Sequence, residues 1–316
     1  MEVDESLDEY KKTFEACGEV IKDKNLFIMT IVTKIMQSMS DLINGLILKK
    51  YEDTKSLIGG PKIRKIFDES FTAVLKNVKP DRTPSDIFLY LLNHGGPRPS
   101  VFASESVFEK LVNSEIEKLR VPSIECVHNT HDEIKKVIAN VVQGQQEFNR
   151  YPIMGKKVNF HLKKFLEDRL PIAKELVNEL INVELSSINT NHPDFSIENA
   201  LKIENNLLKN AKIASSFMNI KTESNAEVLF NLIGNYFPIV KKTIQDQVPK
   251  IIMYKIINYM KSENVQNELL NNLLNENEVN LLQESEENEH QREYAKAMMQ
   301  ALLVAQEAIE EIKMGV

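Results

Sequence analysis

The side chains best suited to chemistry in this 316-residue chain are few and scattered. His128 and His131 stand three apart on a predicted helix and are followed by Asp132 and Glu133. That spacing could supply two ligands to a metal ion. No matching set of His, Cys or carboxylate follows elsewhere at ligand spacing, so a solvated or partly buried helix face is expected. The other histidines (His94, His161, His192, His290) are isolated from one another. Cys126 lies near an apolar stripe and reads as a core thiol, and Cys17 as a helix-end residue. Glu284, Glu286, Glu287 and Glu289 read as a solvated loop rather than a catalytic pair. Gly59-Gly60 and Gly95-Gly96 lack the Lys-Ser/Thr of a phosphate-binding loop, and neither G-x-G-x-x-G nor G-x-S-x-G occurs. No catalytic, cofactor-binding or metal-binding residue is therefore assigned.

The elements that would carry these residues are helices. Hydrophobic residues make up 42% of the chain, enough for one large domain or two small ones. Ten glycines, eleven prolines and 7% aromatic residues leave few turn formers, which favours long helices. Apolar residues recur at steps of three and four in five stretches, among them Leu26 to Leu46, Phe108 to Val141, Val158 to Ile188, Leu229 to Met260 and Ala295 to Ile312. No stretch alternates with period two, so no sheet is expected. Residues 104–143 alone would make a helix of roughly 60 Å, and helices of that length lie side by side in an elongated bundle. The punctuation falls at Ile58-Gly59-Gly60-Pro61, which ends the first long helix, at His94 to Ser100, at Gln143 to Pro152, and at Asn189 to Phe195. The polar segment 196–226 reads as a connector with a short helix.

The balance of 39 basic against 46 acidic residues gives a net charge of −7, a poor setting for nucleic-acid binding. No run approaches the roughly 18 to 20 apolar residues needed to span a bilayer. The acidic opening MEVDESLDEYKK does not read as a signal peptide. Two cysteines suit a reducing compartment, and the expected location is cytoplasmic.

Three stretches carry a resemblance: HGGPRPSVFASESVFEKLVNSEIEKLRVPSIECVHNTHDEI, NVELSSINTNHPDF, and NLIGNYFPIVKKTIQDQVPKIIMYKIINYMK. In this order they resemble the middle region and GTPase effector domain of dynamin-related proteins, from about residue 5 to 313. The wording is most similar to the branch that divides mitochondria and peroxisomes, with its yeast vacuolar-sorting cousin. The resemblance implies an all-α, elongated antiparallel four-helix stalk. It implies bundle-signalling helices over 1–22 and 289–316, a stalk middle region over 23–195, a connector over 196–226 where relatives carry a lipid-binding or variable insert, and the effector helix with its return over 227–288.

It also implies a function. Such a stalk self-assembles into dimers, tetramers and helical filaments around membranes, and drives membrane or organelle fission. GTP and Mg belong to a GTPase domain whose motifs this chain does not carry, so the chain itself is expected to be non-catalytic. Membrane contact would be indirect or through the insert, an organelle adaptor would recruit the protein to its membrane, and nucleic acid is not a partner. Gly96, Pro97, Arg98 and Pro99 match the family's GPRP tip loop. Two prolines stiffen that loop and Arg98 offers a planar fork for a carboxylate. Gly59, Gly60, Pro61, Lys62 and Ile63 match a GGARI-like tip loop, with Pro-Lys for Ala-Arg. Ile252 falls where the central dimer contact lies, with a core position as the competing reading because Ile251 is its neighbour. A monomeric adaptor bundle that binds partner helices, and an Mx-like antiviral stalk, are the alternatives.

Overall fold

The computed structural model describes residues 2–16, 21, 23–46, 57–94, 105–195, 217–275 and 281–314. Among the described residues every regular element is helical and none is a strand. The helices are α1 (Glu2–Ala16), α2 (Lys24–Ile43), α3 (Gly60–Lys65), α4 (Thr72–Asn77), α5 (Pro84–His94), α6 (Glu105–Ile116), α7 (Arg120–Gln143), α8 (Glu147–Arg150), α9 (Pro152–Ser186), α10 (Phe217–Ile252), α11 (Glu263–Asn275) and α12 (Glu286–Met314). A π-helical turn, Ile66–Phe71, joins α3 to α4, and a 3-10 turn, Glu117–Leu119, joins α6 to α7. A second π turn, Met253–Ile257, carries α10 into Asn258–Met260. The chain divides into two compact units, one of Met1–Ser56, Lys135–Phe165 and Met260–Val316, the other of Leu57–Ile134 and Leu166–Tyr259.

In the first unit α1 pairs with α12 and α2 with α11. Asp23 caps α2 by accepting from the Asn25 and Leu26 amides at 2.9 and 3.1 Å. Gly45, at φ 79°, turns the chain out of it, and the Leu46 amide donates back to the Asp41 carbonyl. The helix therefore stops at Ile43, well short of the Gly59-Gly60 break expected from sequence, and residues 47–56 lie outside the described part. By length and composition α2 could cross a membrane. Its residues Ile28, Ile31, Val32, Ile35, Met36, Met39, Leu42 and Ile43 are nonetheless buried in this unit. Phe27 meets Tyr151 edge-on, and Lys34 binds Glu147 at 2.6 Å. Pro152 opens α9, and Gly155 lets its first turn close on Phe148, where an added Cβ would stand 2.9 Å from the ring.

In the second unit α10 packs against α4, α5 and α6. Thr83 and Asp86 form a reciprocal cap before Pro84: the Thr83 amide donates to Asp86 at 2.8 Å and the Asp86 amide to the Thr83 hydroxyl at 3.2 Å. Polar sutures fix the register. Lys241 donates to the Val78 carbonyl at 3.2 Å, and Arg120 donates to the side-chain oxygens of Asn178 and Asn182 on α9 at 3.1 and 2.9 Å. The connector expected over 196–226 is described only from Phe217, where it is already part of α10.

Glu284 departs from the solvated loop expected of it. Its carboxylate accepts from Arg150 at 2.7 Å, Asn288 at 2.8 Å and Arg292 at 3.2 Å, and the Ser285 amide donates to the Arg150 carbonyl at 2.9 Å. Arg292 also lies over the Phe14 ring, so this one carboxylate ties the α1–α12 pair to the end of α8. Burial pushes the Glu284 carboxyl up. The hydrogen bonds from Arg150 and Asn288 and the charges of Arg150 and Arg292 outweigh it, and the group sits below its ordinary value of 4.5. A carboxyl whose folded pKa is depressed stabilises fully above the unfolded value and loses that contribution as pH falls through the folded one. Glu284→Ala strands two arginines and should cost about 1–3 kcal/mol in thermal or urea melts. It should speed amide exchange in α12 first. Glu284→Gln should flatten the acid-side loss of stability below about pH 4.5. Melts and exchange rates equal to wild type would remove this node from the account.

Candidate assembly surfaces

Of the residues that first suggested chemistry, Cys126, His131 and Glu133 are buried, His128 is half-buried and Asp132 is exposed. The Cys126 thiol is buried, and burial pushes its pKa up to about 12, so it holds its proton and is no nucleophile. His131 is buried with Nδ1 3.4 Å from Asp132 and Nε2 3.5 Å from Glu167. Burial, then the charge of Lys174, holds His128 below the ordinary imidazole value. Among the described residues no group of three or more His, Cys, Asp or Glu could hold a metal ion.

The remaining candidates are surfaces. Gly59 does not end a helix but opens α3, at φ 62° and ψ −131°, a conformation that disfavours any side chain. Its amide donates to Glu133 Oε1 at 3.0 Å, and Glu133 is itself buried on α7. Pro61 sits in the first turn, where a missing amide proton costs nothing, and Ile63 is buried beneath. Gly60 and Lys62 are half-buried, while Arg64 and Lys65 are exposed and pair with Asp68 at 3.2 Å and Glu69 at 3.6 Å. The loop is thus held from below by Glu133, and its rim carries Arg64 and Lys65, each paired with a carboxylate four residues on. Gly96, Pro97, Arg98 and Pro99 lie outside the described residues, between the end of α5 and the start of α6.

Ile252 is fully buried in the second unit, the core position that its neighbour Ile251 left open. A residue with no exposed surface cannot meet a second copy without unfolding. The surface at this point belongs to the π turn that follows: Met253 is exposed, Tyr254 is 65% exposed, and Lys255 lies over its ring at 4.5 Å. On the terminal pair, Leu7 of α1 and Ala295 of α12 are buried, and Tyr10 meets Tyr294 edge-on. Leu303, Val304 and Ile309, further along α12, remain exposed. Asn189 to Phe195 is a structural turn. Its Asn189 amide donates to the Tyr236 hydroxyl at 3.0 Å, and Phe195 stacks among Phe108 and Tyr236.

Residues 1–204 match the Dynamin central region, and residues 221–312 match the Dynamin GTPase effector domain. The chain belongs to the dynamin family. Dynamin-1-like protein of Danio rerio is 28% identical to it, over 96% of this chain and 54% of that protein. Dynamin-1-like protein drp-1 of Caenorhabditis elegans is 27% identical, over 94% and 54%. Vacuolar protein sorting-associated protein 1 of Schizosaccharomyces pombe is 26% identical, over 98% and 53%. The chain spans about half the length of these relatives.

Two features of these surfaces were not legible in the sequence. The acceptor for Gly59 lies 74 positions away, and Arg150 lies 134 positions from Glu284, separations no local pattern encodes. A side chain at Gly59 meets both a strained backbone and a fixed amide. Gly59→Ala should therefore cost about 1–3 kcal/mol in chemical denaturation, whereas Lys62→Ala should stay within about 0.5 kcal/mol. Equal stabilities for the two variants would contradict the conformation described.

Proposed function

We propose that this chain is the self-assembling stalk of a dynamin-like GTPase, which oligomerises into helical filaments around membranes and drives their fission. The observation that carries the reading is the pairing of a dynamin central region with an effector domain, in that order, across most of the chain. The surfaces support it: α10 is sealed inward by its apolar residues, and the π turn that follows leaves Met253 and Tyr254 outward. A two-fold contact on such a flank makes a dimer, and a second contact elsewhere, not closed by that two-fold, propagates it. The helices form an elongated antiparallel bundle in this reading, with α1 and α12 as bundle-signalling helices, and the exposed Leu303, Val304 and Ile309 of α12 await a further helix. GTP and Mg act in a GTPase domain, and the protein is cytoplasmic and recruited to organelle membranes, directly or through an adaptor. The dynamin-1-like and vacuolar-sorting relatives favour organelle division over an Mx-like antiviral role.

Sedimentation velocity across a concentration series tests the assembly. Wild type should gain mass with concentration, and replacing Gly96, Pro97, Arg98 and Pro99 together by alanine should stop growth at the dimer. A mass that never rises would favour the monomeric adaptor. At the central contact the two readings separate by residue. Tyr254→Ser should leave the melting temperature unchanged and weaken dimerisation. Ile252→Ala should cost about 2–4 kcal/mol of stability by opening a cavity. Dimerisation untouched by Tyr254→Ser would move the contact elsewhere.

A further inference from the structure

One face of the second unit holds cations without their usual counter-charges. Residues 70–80, which span α4 and the strap beyond it, and residues 228–245 of α10 contain four lysines, Lys76, Lys79, Lys241 and Lys242, and no acidic residue, in a chain of net charge −7. Gln245 donates to the Thr72 hydroxyl at 3.2 Å and Lys241 to the Val78 carbonyl at 3.2 Å, so the two stretches lie side by side in opposite directions. Among the described residues no ion pair engages any of the four lysines. The carboxylates that border them in sequence are committed elsewhere: Glu69 to Lys65, Asp81 to Lys118 and Asp246 to Lys250. Such a surface departs from the interspersing of both signs that solvent-facing helices ordinarily show.

Lys241 is set apart from the other three by its surroundings. It is half-buried, whereas Lys76, Lys79 and Lys242 are exposed. Its Nζ lies 5.6 Å from the centre of the buried Phe237 ring and donates to the carbonyl of Val78, the residue before Lys79. Burial, then the charge of Lys79, holds its ammonium below the ordinary lysine value. Of the charged groups on α4, α5, α6 and α10, Lys79 is the one whose field bears on it. Lys118 shows the opposite outcome. It too is half-buried, and burial pushes its pKa down, but its hydrogen bonds to Asp81 and Glu115 outweigh that and the pKa is raised. What separates the two lysines is the carboxylate that Lys241 lacks. A lysine that gives up its proton readily is a nucleophile. The Val78 carbonyl accepts from the neutral amine as well as from the ammonium, which fixes Nζ and turns the amine lone pair away from that carbonyl.

We propose that Lys241, held by the Val78 carbonyl and crowded by Lys79, is an acyl-acceptor site that reacts with acyl thioesters. The neutral amine attacks the thioester carbonyl carbon. A carbon–nitrogen bond forms, the carbon–sulfur bond breaks, and the departing thiolate takes up the proton that nitrogen loses. No oxidant or reductant enters the step. Thioesters carried on coenzyme A bring phosphate groups, which the exposed Lys76, Lys79 and Lys242 attract. The acylated side chain keeps one N–H for the Val78 carbonyl and sheds the charge that burial and Lys79 oppose, so the fold accepts it. The site stands apart from any self-association of the chain.

The test is acetylation of the 316-residue chain by limiting acetyl-coenzyme A across a pH series. Fragment-resolved peptide mass spectrometry reads each lysine, and circular dichroism checks that the chain stays folded. At about pH 7 Lys241 should acetylate at least about threefold faster than its exposed neighbour Lys242, and the ratio should shrink as pH rises past the ordinary lysine value of about 10.4. Comparing the shapes of the two pH profiles removes any difference in access. Lys79→Gln should move the Lys241 profile to higher pH, and Lys79→Glu should move it further still. A Lys241 profile that coincides with that of Lys242, or that neither Lys79 variant moves, overturns the proposal. So does a Lys241 that stays unlabelled at every pH in the folded chain while Lys242 reacts.

Discussion

The apolar seam along α10 is the constraint on which the second unit depends. Ile233, Phe237, Val240, Ile244, Val248, Ile252 and Ile256 are all essentially without exposed surface. They are covered by α4, α5 and α6, which come from far earlier in the chain. Each such side chain contributes about 1.5–3 kcal/mol on burial, whereas an exposed ion pair such as Lys250–Asp246 contributes about 0–1 kcal/mol. The seam therefore decides which segments meet, and the ion pairs adjust what it has already placed. The two dynamin segments are interdependent for the same reason: without the effector helix, the inner faces of α5 and α6 would be left in water.

That division of labour explains where function can reside. Interior positions are committed to burial, and His131 and Cys126, which invited a chemical reading, are spent on it. What remains variable is the outer row of each helix and the ends where helices turn. Gly59 shows how an end is made rigid, since its amide is held by a carboxylate that is itself inside the unit. A loop fixed in this way loses little freedom when a partner docks, so its few contacts convert more fully into affinity.

The helical period was legible because apolar residues at steps of three and four report burial directly, and the stripes from Leu229 to Met260 and from Phe108 to Val141 lie on buried helix faces. The ends were less legible. The first stripe runs on to Leu46, but the Asn44-Gly45 turn stops the helix earlier, and a glycine pair expected to end a helix begins one. Short helices such as α3, α4 and α5 carry too few turns to show a period. Long-range polar partners escaped altogether: Glu284 sits in a run of glutamates that looks solvated, and only the fold brings Arg150 to it. Between adjacent isoleucines the sequence could not choose, because the choice is made by helix phase.

The cadence of α10 carries one more consequence. From Val240 the buried residues step by four (Ile244, Val248, Ile252, Ile256, Met260), a longer stride than one turn of regular helix. In a uniform α-helix each such step would swing the seam about 40° around the axis, and its far end would face outward. The wide turn at Met253–Ile257 is a local underwinding that takes up part of this drift and brings the adjacent Ile256 and Ile257 both into the interior. Backbone geometry at that point works as a phase corrector. Residues that tighten it would rotate the helical turn beyond Ile257 out of phase with the turns before it.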